Sequence, residues 1–286
     1  MRANCSSKNQ VLGKKSIGMF KIYNRSHINY IYRNINESIN GLDVKIFIWW
    51  WEGDRQSKME KYTIIWDFDG TILPMAPFDS EQSLLAYRMS QAENFFSWFK
   101  KGYTQAIIYA DRREWFRKTF KKAYVRLLKG TPASTLDEVC QDLAEKISPV
   151  DRNVFWTLKE DGCDIIVLSC GTADLSERVL KFAGLKDCFR LIEGNRFRFI
   201  ANQIAGMNFQ IPDPEDKLEF AKNLKLSPER TIVVGDGYTD LPLLNWSSIP
   251  VMIDRTGKKR KRFTSHNFYF ITSIPEIMNV VGDAEN

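Results

Sequence analysis

The sequence predicts an α/β protein in which a parallel sheet is covered by helices and an α-helical cap is inserted after the first strand. Three observations carry this expectation. Short apolar runs rich in β-branched residues, Tyr62 to Ile65, Cys163 to Leu168 and Thr231 to Val234, alternate with stretches of helical period, the pattern of repeated βα units. Each run stops at a turn-forming stretch, Asp67-Phe68-Asp69-Gly70, Ser169-Cys170-Gly171-Thr172 or Gly235-Asp236-Gly237, at the strand end where open α/β sheets bind ligands. Between the first two runs, residues 75–149 carry only helical signals.

Taken in order, residues 1–58 are rich in Asn, Ser, Lys and Ile without sustained period and read as a poorly ordered extension. Met59 directly precedes the first strand, so the expectation includes Met59 as an alternative start. Trp66 to Leu73 is a buried strand end broken by Asp69-Gly70, and Pro74 and Pro77 then hold the chain extended. Asp79 and Gln82 stand at capping-box spacing before Leu84, Leu85, Ala92, Phe95, Phe96 and Phe99. Asp111 and Glu114 do the same before Phe116, Phe120, Ala123, Tyr124 and Leu127, and Pro132 with Thr135 and Glu138 introduces Val139, Leu143 and Ile147. These three helices would sit above the sheet's carboxyl edge, their aromatic stripes forming the cap's own core.

After Val150, a helix carrying Val154, Phe155 and Leu158 ends at Asp161-Gly162, and Thr172 caps a helix bearing Leu175, Val179, Leu180 and Phe182 that Gly184 terminates. Residues 189–211 read as a short hairpin excursion. A helix with Lys217, Leu218, Phe220 and Ala221 precedes the strand at Thr231, and another strand is expected around Val251 to Ile253.

Charge is unevenly spread. Residues 1–58 hold ten Lys/Arg against four acids, which leaves thirty-one of each sign in the rest of the chain, so the net charge of +6 belongs to the N-terminal segment. It is poor support for a nucleic-acid partner, and none is expected. The ten basic residues against two acids between Lys100 and Lys129 read as a solvated cap face. Lys258-Lys259-Arg260-Lys261-Arg262 reads as an exposed loop, since no aromatic interleaving accompanies it. Five cysteines without CxxC or zinc-like spacing imply neither a disulfide framework nor a metal knuckle, which suits a reduced cytoplasmic setting. Val44 to Trp51 is the longest apolar stretch, too short to span a bilayer, so no membrane association is expected. His266, alone near the C-terminus, reads as structural.

Four groups of chemistry-bearing residues occur in order: Asp67 and Asp69, Ser169 with Gly171, Lys217, then Asp236 and Asp240. A parallel sheet would bring their strand ends to one edge. There a carboxylate can attack phosphorus, and a second can protonate the leaving alcohol and later activate water. A hydroxyl, N–H groups at a helix N-terminus and a lysine can hold phosphate oxygens, while Mg²⁺ prefers one or two carboxylates plus substrate oxygens. Asp67 and Asp236 would supply those carboxylates. Cys170 has no histidine nearby in sequence to act as its base and reads as a small buried residue.

From about Met59 to Ile253 this pattern resembles the haloacid dehalogenase-like phosphohydrolases, in the branch similar to phosphoserine phosphatase with a helical cap between the first two motifs. The resemblance implies a Rossmann-like core of residues 59–74 and 150–286 with the cap at 75–149. It implies Asp67 as nucleophile and Asp69 as general acid/base. Thr71, Ser169, Cys170, Gly171 and Lys217 would bind phosphate; Mg²⁺ would be held by Asp67, Asp236 and the Asp69 carbonyl; Asp240 would lie one shell further out, orienting Lys217 or a metal-bound water. Asp69 argues against a dehalogenase, which needs no acid there. The implied activity is Mg²⁺-dependent hydrolysis of a small phosphorylated metabolite through an aspartyl-phosphate. The alternatives are a phosphatase for nucleic-acid ends or phosphoproteins using the basic cap, or a non-catalytic binding protein on the same fold. One departure bears on substrate: nine residues past the nucleophile, where phosphoserine phosphatases carry an amine-binding glutamate, this chain has Ala76, and the nearest acids are Asp79 and Glu81. Another is Gly237-Tyr238-Thr239, where small residues are usual.

Overall fold

The computed structural model describes residues 62–91, 102, 105–106, 108 and 117–284. The expected N-terminal extension, the Asp111–Glu114 capping pair and Phe95, Phe96 and Phe99 lie outside the described residues.

Strands β1 (Thr63–Trp66), β2 (Asp164–Thr172), β3 (Leu191–Ile200), β4 (Gln203–Asn208), β5 (Thr231–Gly235), β6 (Ile249–Ile253) and β7 (Tyr269–Ile271) form one sheet in the order β4-β3-β2-β1-β5-β6-β7. Every neighbouring pair is parallel except β3 and β4. Because β1 is flanked by β2 on one side and β5 on the other, the connections diverge there and open a crevice at the carboxyl ends.

The strands read as continuous apolar runs because both faces of the sheet are covered. Side chains alternate along a strand, so Ile64, Trp66, Ile165, Val167, Ile232 and Val234 enter one core, with Phe155 and Leu158 of α4 (Pro149–Glu160) and Leu175 and Val179 of α5 (Ala173–Phe182). Ile65, Ile166, Leu168 and Val233 enter the other, against Ala221 of α6 (Pro214–Asn223) and Leu243 and Leu244 of α7 (Leu241–Trp246). Trp66 meets Phe155 edge-on at 5.0 Å, and Phe155 meets Phe189 at 5.2 Å.

Helices α1 (Ser80–Ser90), α2 (Arg117–Leu128) and α3 (Ala133–Ala144) lie between β1 and β2 in sequence. Asp79 caps α1, its side chain accepting from the Gln82 N–H. The aromatic face of α2 does not close on its own helices alone. Phe120 stacks on Tyr124, Tyr124 on Phe197 of β3, and Phe197 meets Phe199. A hairpin from the sheet thus supplies half of that stripe.

The sequence expectation is corrected at four places. The segment 189–211 is the expected hairpin, β3 antiparallel to β4, but no excursion: β3 pairs with β2 and continues the sheet, and its alternation is irregular because the register with both neighbours shifts. The strand expected to end at Leu168 runs on to Thr172, as Asn195, fully buried, donates to the Cys170 and Gly171 carbonyls and keeps β3 attached past the bulge. Thr135 and Glu138 form no capping box. The N-cap of helix α3 is Pro132, three residues before Thr135, and Glu138 accepts from Tyr87 instead. Thr172 stands at the N-cap of α5 without a side-chain cap bond, because its hydroxyl donates to Glu81 at 2.6 Å. The last strand and α9 (Ile277–Ala284), which no turn signal announced, complete the far edge.

Truncating Phe155 removes the ring wedged between Trp66 and Phe189. Phe155→Ala is expected to cost about 3–5 kcal/mol of unfolding free energy, measured by urea denaturation; a loss below about 1 kcal/mol would contradict this packing.

Candidate active site

The apolar ladder carries the chain straight into the site. The Asp67 N–H donates to the Val234 carbonyl, extending β1 against β5 by one residue. The Phe68 carbonyl then accepts from the N–H groups of Thr71, Ile72 and Leu73 while Gly70 donates to Leu73. This tight turn needs Gly70 twice over: its φ is +85°, and a Cβ there would lie 2.5 Å from an Asp236 carboxylate oxygen. The same contact shows how close the β1 and β5 loops approach. One carboxylate oxygen from each of Asp67, Asp236 and Asp240 lies within 4.8 Å of the others.

Lys217, on α6 and only 1% exposed, donates to Asp67 Oδ1 at 2.8 Å and to Asp240 Oδ1 at 2.7 Å. Burial opposes its charge, but the Asp240 and Asp67 carboxylates outweigh this and hold its pKa above the ordinary lysine value. For Asp67, burial and then the neighbouring Asp240 charge push the carboxyl above the usual range, against the pull of Lys217. Asp236 is raised by burial, opposed by Lys259. Asp240 Oδ2 accepts from the N–H groups of Asp236 and Gly237, so it tethers the β5 loop as well as Lys217. Thr71 Oγ1 donates to Asp67 Oδ2 at 3.3 Å.

Asp69 faces the same cleft without joining that cluster. Its two oxygens accept from the Ser80 N–H and hydroxyl, each at 2.8 Å, so the first turn of α1 is pinned to it and its charge meets a helix N-terminus. Burial nevertheless pushes Asp69 up to about 6. At the end of β2, Ser169 is buried and its Oγ accepts from the Gly171 N–H at 2.9 Å. A Cβ on Gly171 would lie 3.1 Å from Ser169 Oγ and 3.2 Å from Asp69 Oδ2, so hydroxyl and acid face one spot that only a glycine leaves open. Cys170 is buried with its carbonyl on Asn195. Asp67, Asp69, Ser169, Gly171 and Asp236 line one cleft of about 230 Å³. Lys217 is not among the lining residues and meets the cleft through its bond to Asp67.

Several contributors were invisible in the sequence. Ser80 binds Asp69, and Arg255 Nη2 donates to the Thr71 carbonyl at 2.6 Å. The basic run read as an exposed loop contains the short helix α8 (Lys259–Arg262), and Lys259 Nζ donates to Asp236 Oδ2 at 2.6 Å. Asp254, 3% exposed at the end of β6, organises that run. Its Oδ2 accepts from the N–H groups of Lys259 and Arg260, and its Oδ1 from those of Thr256 and Lys258 and from the Thr256 hydroxyl. Such contacts span only a few residues but depend on one carboxylate pointing back along the chain, which no spacing rule announces.

A mostly parallel sheet diverging about β1, with an acidic cluster and a buried lysine at its carboxyl edge, places the protein in the doubly wound α/β class. The chain belongs to the haloacid dehalogenase-like hydrolases, whose family model matches residues 62–247. It is 30% identical over 146 residues to a phosphoserine phosphatase of Archaeoglobus fulgidus, covering 48% of this chain and 38% of that protein. A phosphoserine phosphatase of Streptomyces coelicolor is 24% identical over 165 residues, 56% of this chain and 38% of that one. The chain thus spans well under half the length of these relatives. The structure of a probable phosphoserine phosphatase from Vibrio cholerae superposes with a TM-score of 0.59 at 15% identity, over 79% of this chain and 66% of that one, a likeness of fold.

Asp254 accepts five hydrogen bonds, and although burial raises its pKa, the N–H groups of Arg260, Lys259 and Thr256 hold it below the usual carboxylate value. A depressed folded pKa contributes stability above the unfolded value of about 3.9, lost as pH falls through the folded pKa. Asp254→Ala is therefore expected to cost about 1–3 kcal/mol at neutral pH, and the gap to the wild type should narrow in denaturant titrations run near pH 3. A gap that is the same at both pH values would disprove the assignment.

Proposed function

We propose that this chain is a phosphatase: a phosphomonoesterase acting on a small phosphorylated metabolite through an aspartyl-phosphate. The observation that carries this reading is the meeting, in one cleft, of Asp67 paired with buried Lys217, of Asp69 and of the Ser169 hydroxyl, the last two facing one spot beside Gly171. The phosphoserine phosphatases among its relatives support it.

In this reading Asp67 attacks phosphorus, the bond from phosphorus to the ester oxygen breaks, and Asp69 gives its proton to the departing alcohol. Asp69, now a carboxylate, takes a proton from water; the hydroxide attacks the aspartyl-phosphate, inorganic phosphate leaves and Asp67 is restored. A carboxyl near 6 is suited to give and take a proton at neutral pH. Ser169, Lys217, Thr71 and the N–H groups at Cys170 and Gly171 hold the phosphate oxygens. Lys217 also favours the ionised form of Asp67, against its burial, and aligns it for attack.

The donor set suits a hard divalent cation. Three carboxylates within 4.8 Å of one another, Asp67 and Asp240 buried and Asp236 half-buried, two of them raised by burial and the charges beside them, are incompletely neutralised by Lys217 and Lys259. Mg²⁺ would be held by Asp67, Asp236 and the Asp69 carbonyl, and would supply the positive charge that lets an anionic nucleophile meet an anionic phosphate. Asp240 would orient Lys217. Helices α1 to α3 act as the cap, with Phe120 and Lys121 of α2 lining the cleft. The setting proposed is cytoplasmic: the four described cysteines form no disulfide with one another, and no described helix is long and apolar enough to cross a membrane.

Asp67→Asn is expected to lower hydrolysis of p-nitrophenyl phosphate by about a thousandfold or more, followed by release of nitrophenol. Wild-type turnover in that variant would remove the nucleophile. Independently, a chelator should abolish wild-type activity and added Mg²⁺ restore it; full activity in the chelator would remove the metal from the scheme.

A further inference from the structure

The acids lining the cleft are all engaged by groups of the chain itself. Asp67 holds Lys217 and Thr71, Asp69 holds Ser80, Asp236 holds Lys259, and Asp79 caps α1. Glu81 is the most fully engaged. Its side chain is 8% exposed. Oε1 accepts from Lys121 Nζ at 2.7 Å and from the Thr172 hydroxyl at 2.6 Å, and Oε2 accepts from Lys121 at 2.8 Å. An ammonium arriving in the cleft finds that carboxylate already matched by a lysine of α2.

Arg262 is held differently. Its Nε donates to the Tyr238 hydroxyl at 2.7 Å, and its guanidinium carbon lies 4.2 Å over the centre of the Tyr238 ring. Tyr238 in turn rests against Phe263, ring centres 5.0 Å apart. All three residues line the cleft, and no carboxylate pairs with Arg262 among the described residues. A guanidinium set on a neutral aromatic platform keeps its charge for an incoming anion and loses little freedom in binding it. Tyr238, the bulky residue in the loop after Asp236, thus acquires a purpose as that platform.

Resting on the phosphatase reading above, we infer that the cleft selects phosphate monoesters whose alcohol carries a carboxylate, bound by Arg262, and disfavours those whose alcohol carries an ammonium, because Lys121 already occupies Glu81. Both are specificity residues; neither touches the reacting atoms.

Three esters separate the two contributions. 3-Phosphoglycerate and O-phosphoserine differ only in a hydroxyl against an ammonium, and 3-phosphoglycerate and glycerol 3-phosphate only in a carboxylate against a hydroxymethyl. The wild type is expected to show a kcat/KM for 3-phosphoglycerate about tenfold or more above either of the others. Arg262→Gln, at an exposed position, should erase the preference over glycerol 3-phosphate and leave that over phosphoserine. Lys121→Met should raise phosphoserine relative to 3-phosphoglycerate and leave the other ratio in place. Equal rates on all three esters, a preference for phosphoserine, or an Arg262→Gln variant that slows every ester alike would each overturn the inference. Titration calorimetry of the three esters into Asp67→Asn with Mg²⁺ tests the same order without turnover. Ordered binding by a protein that hydrolyses none of them keeps this inference and sinks the phosphatase reading, whereas hydrolysis without order does the reverse.

Discussion

The ammonium of Lys217 is the contact on which the site depends. It lies beneath the sheet's carboxyl edge between two buried carboxylates from different strands, Asp67 after β1 and Asp240 beyond β5. Removing it would leave two acids facing each other in a low-dielectric interior, an arrangement that costs several kcal/mol. With it in place, the Asp67 carboxylate has a cationic partner that opposes its burial and fixes its direction, and Asp240 is free to tie down the Asp236 loop through its second oxygen. Structure and the proposed chemistry coincide there, since the pair that closes the crevice also positions the proposed nucleophile.

Around that pair the architecture is a matter of close approach. Gly70 and Gly235 each stand where a Cβ would collide with a carboxylate, Asp236 in one case and Asp240 in the other, so the two loops can bring like charges together. The excess negative charge this creates is the physical reason for expecting a divalent cation. Lys259 supplies part of the compensation from the far side, delivered by a segment that Asp254 folds into place.

The helices inserted after β1 are coupled to this centre and not merely laid over it. Ser80 joins the start of α1 to Asp69, Thr172 joins the end of β2 to Glu81, and Glu81 joins α1 to α2 through Lys121. The chain Asp69–Ser80–Glu81–Lys121 therefore links the proposed acid to the wall that would face a leaving group. A change in α2 can alter what the cleft accepts without touching the reacting carboxylates.

The sequence by itself determined the sheet core, since β1, β2, β5 and β6 are near-continuous apolar runs and a run buried on both faces leaves no other reading. It also pointed to Asp67, Asp69, Ser169, Asp236 and Asp240 as neighbours, because strand ends in a parallel sheet share one edge whatever the loops do, with Lys217 on the helix before β5 as their proposed companion. What required the tertiary structure were contacts between elements distant in the chain with no period of their own. Thr172 has the spacing of a cap but donates to Glu81, 91 positions away. The stretch 189–211 looks irregular because its partners shift register. Lys259 and Arg262 sit in a run of five basic residues that composition alone assigns to solvent. Local patterns report which face of an element is buried; only the packed fold decides which polar groups meet across the gap, because that depends on where several backbones approach one another.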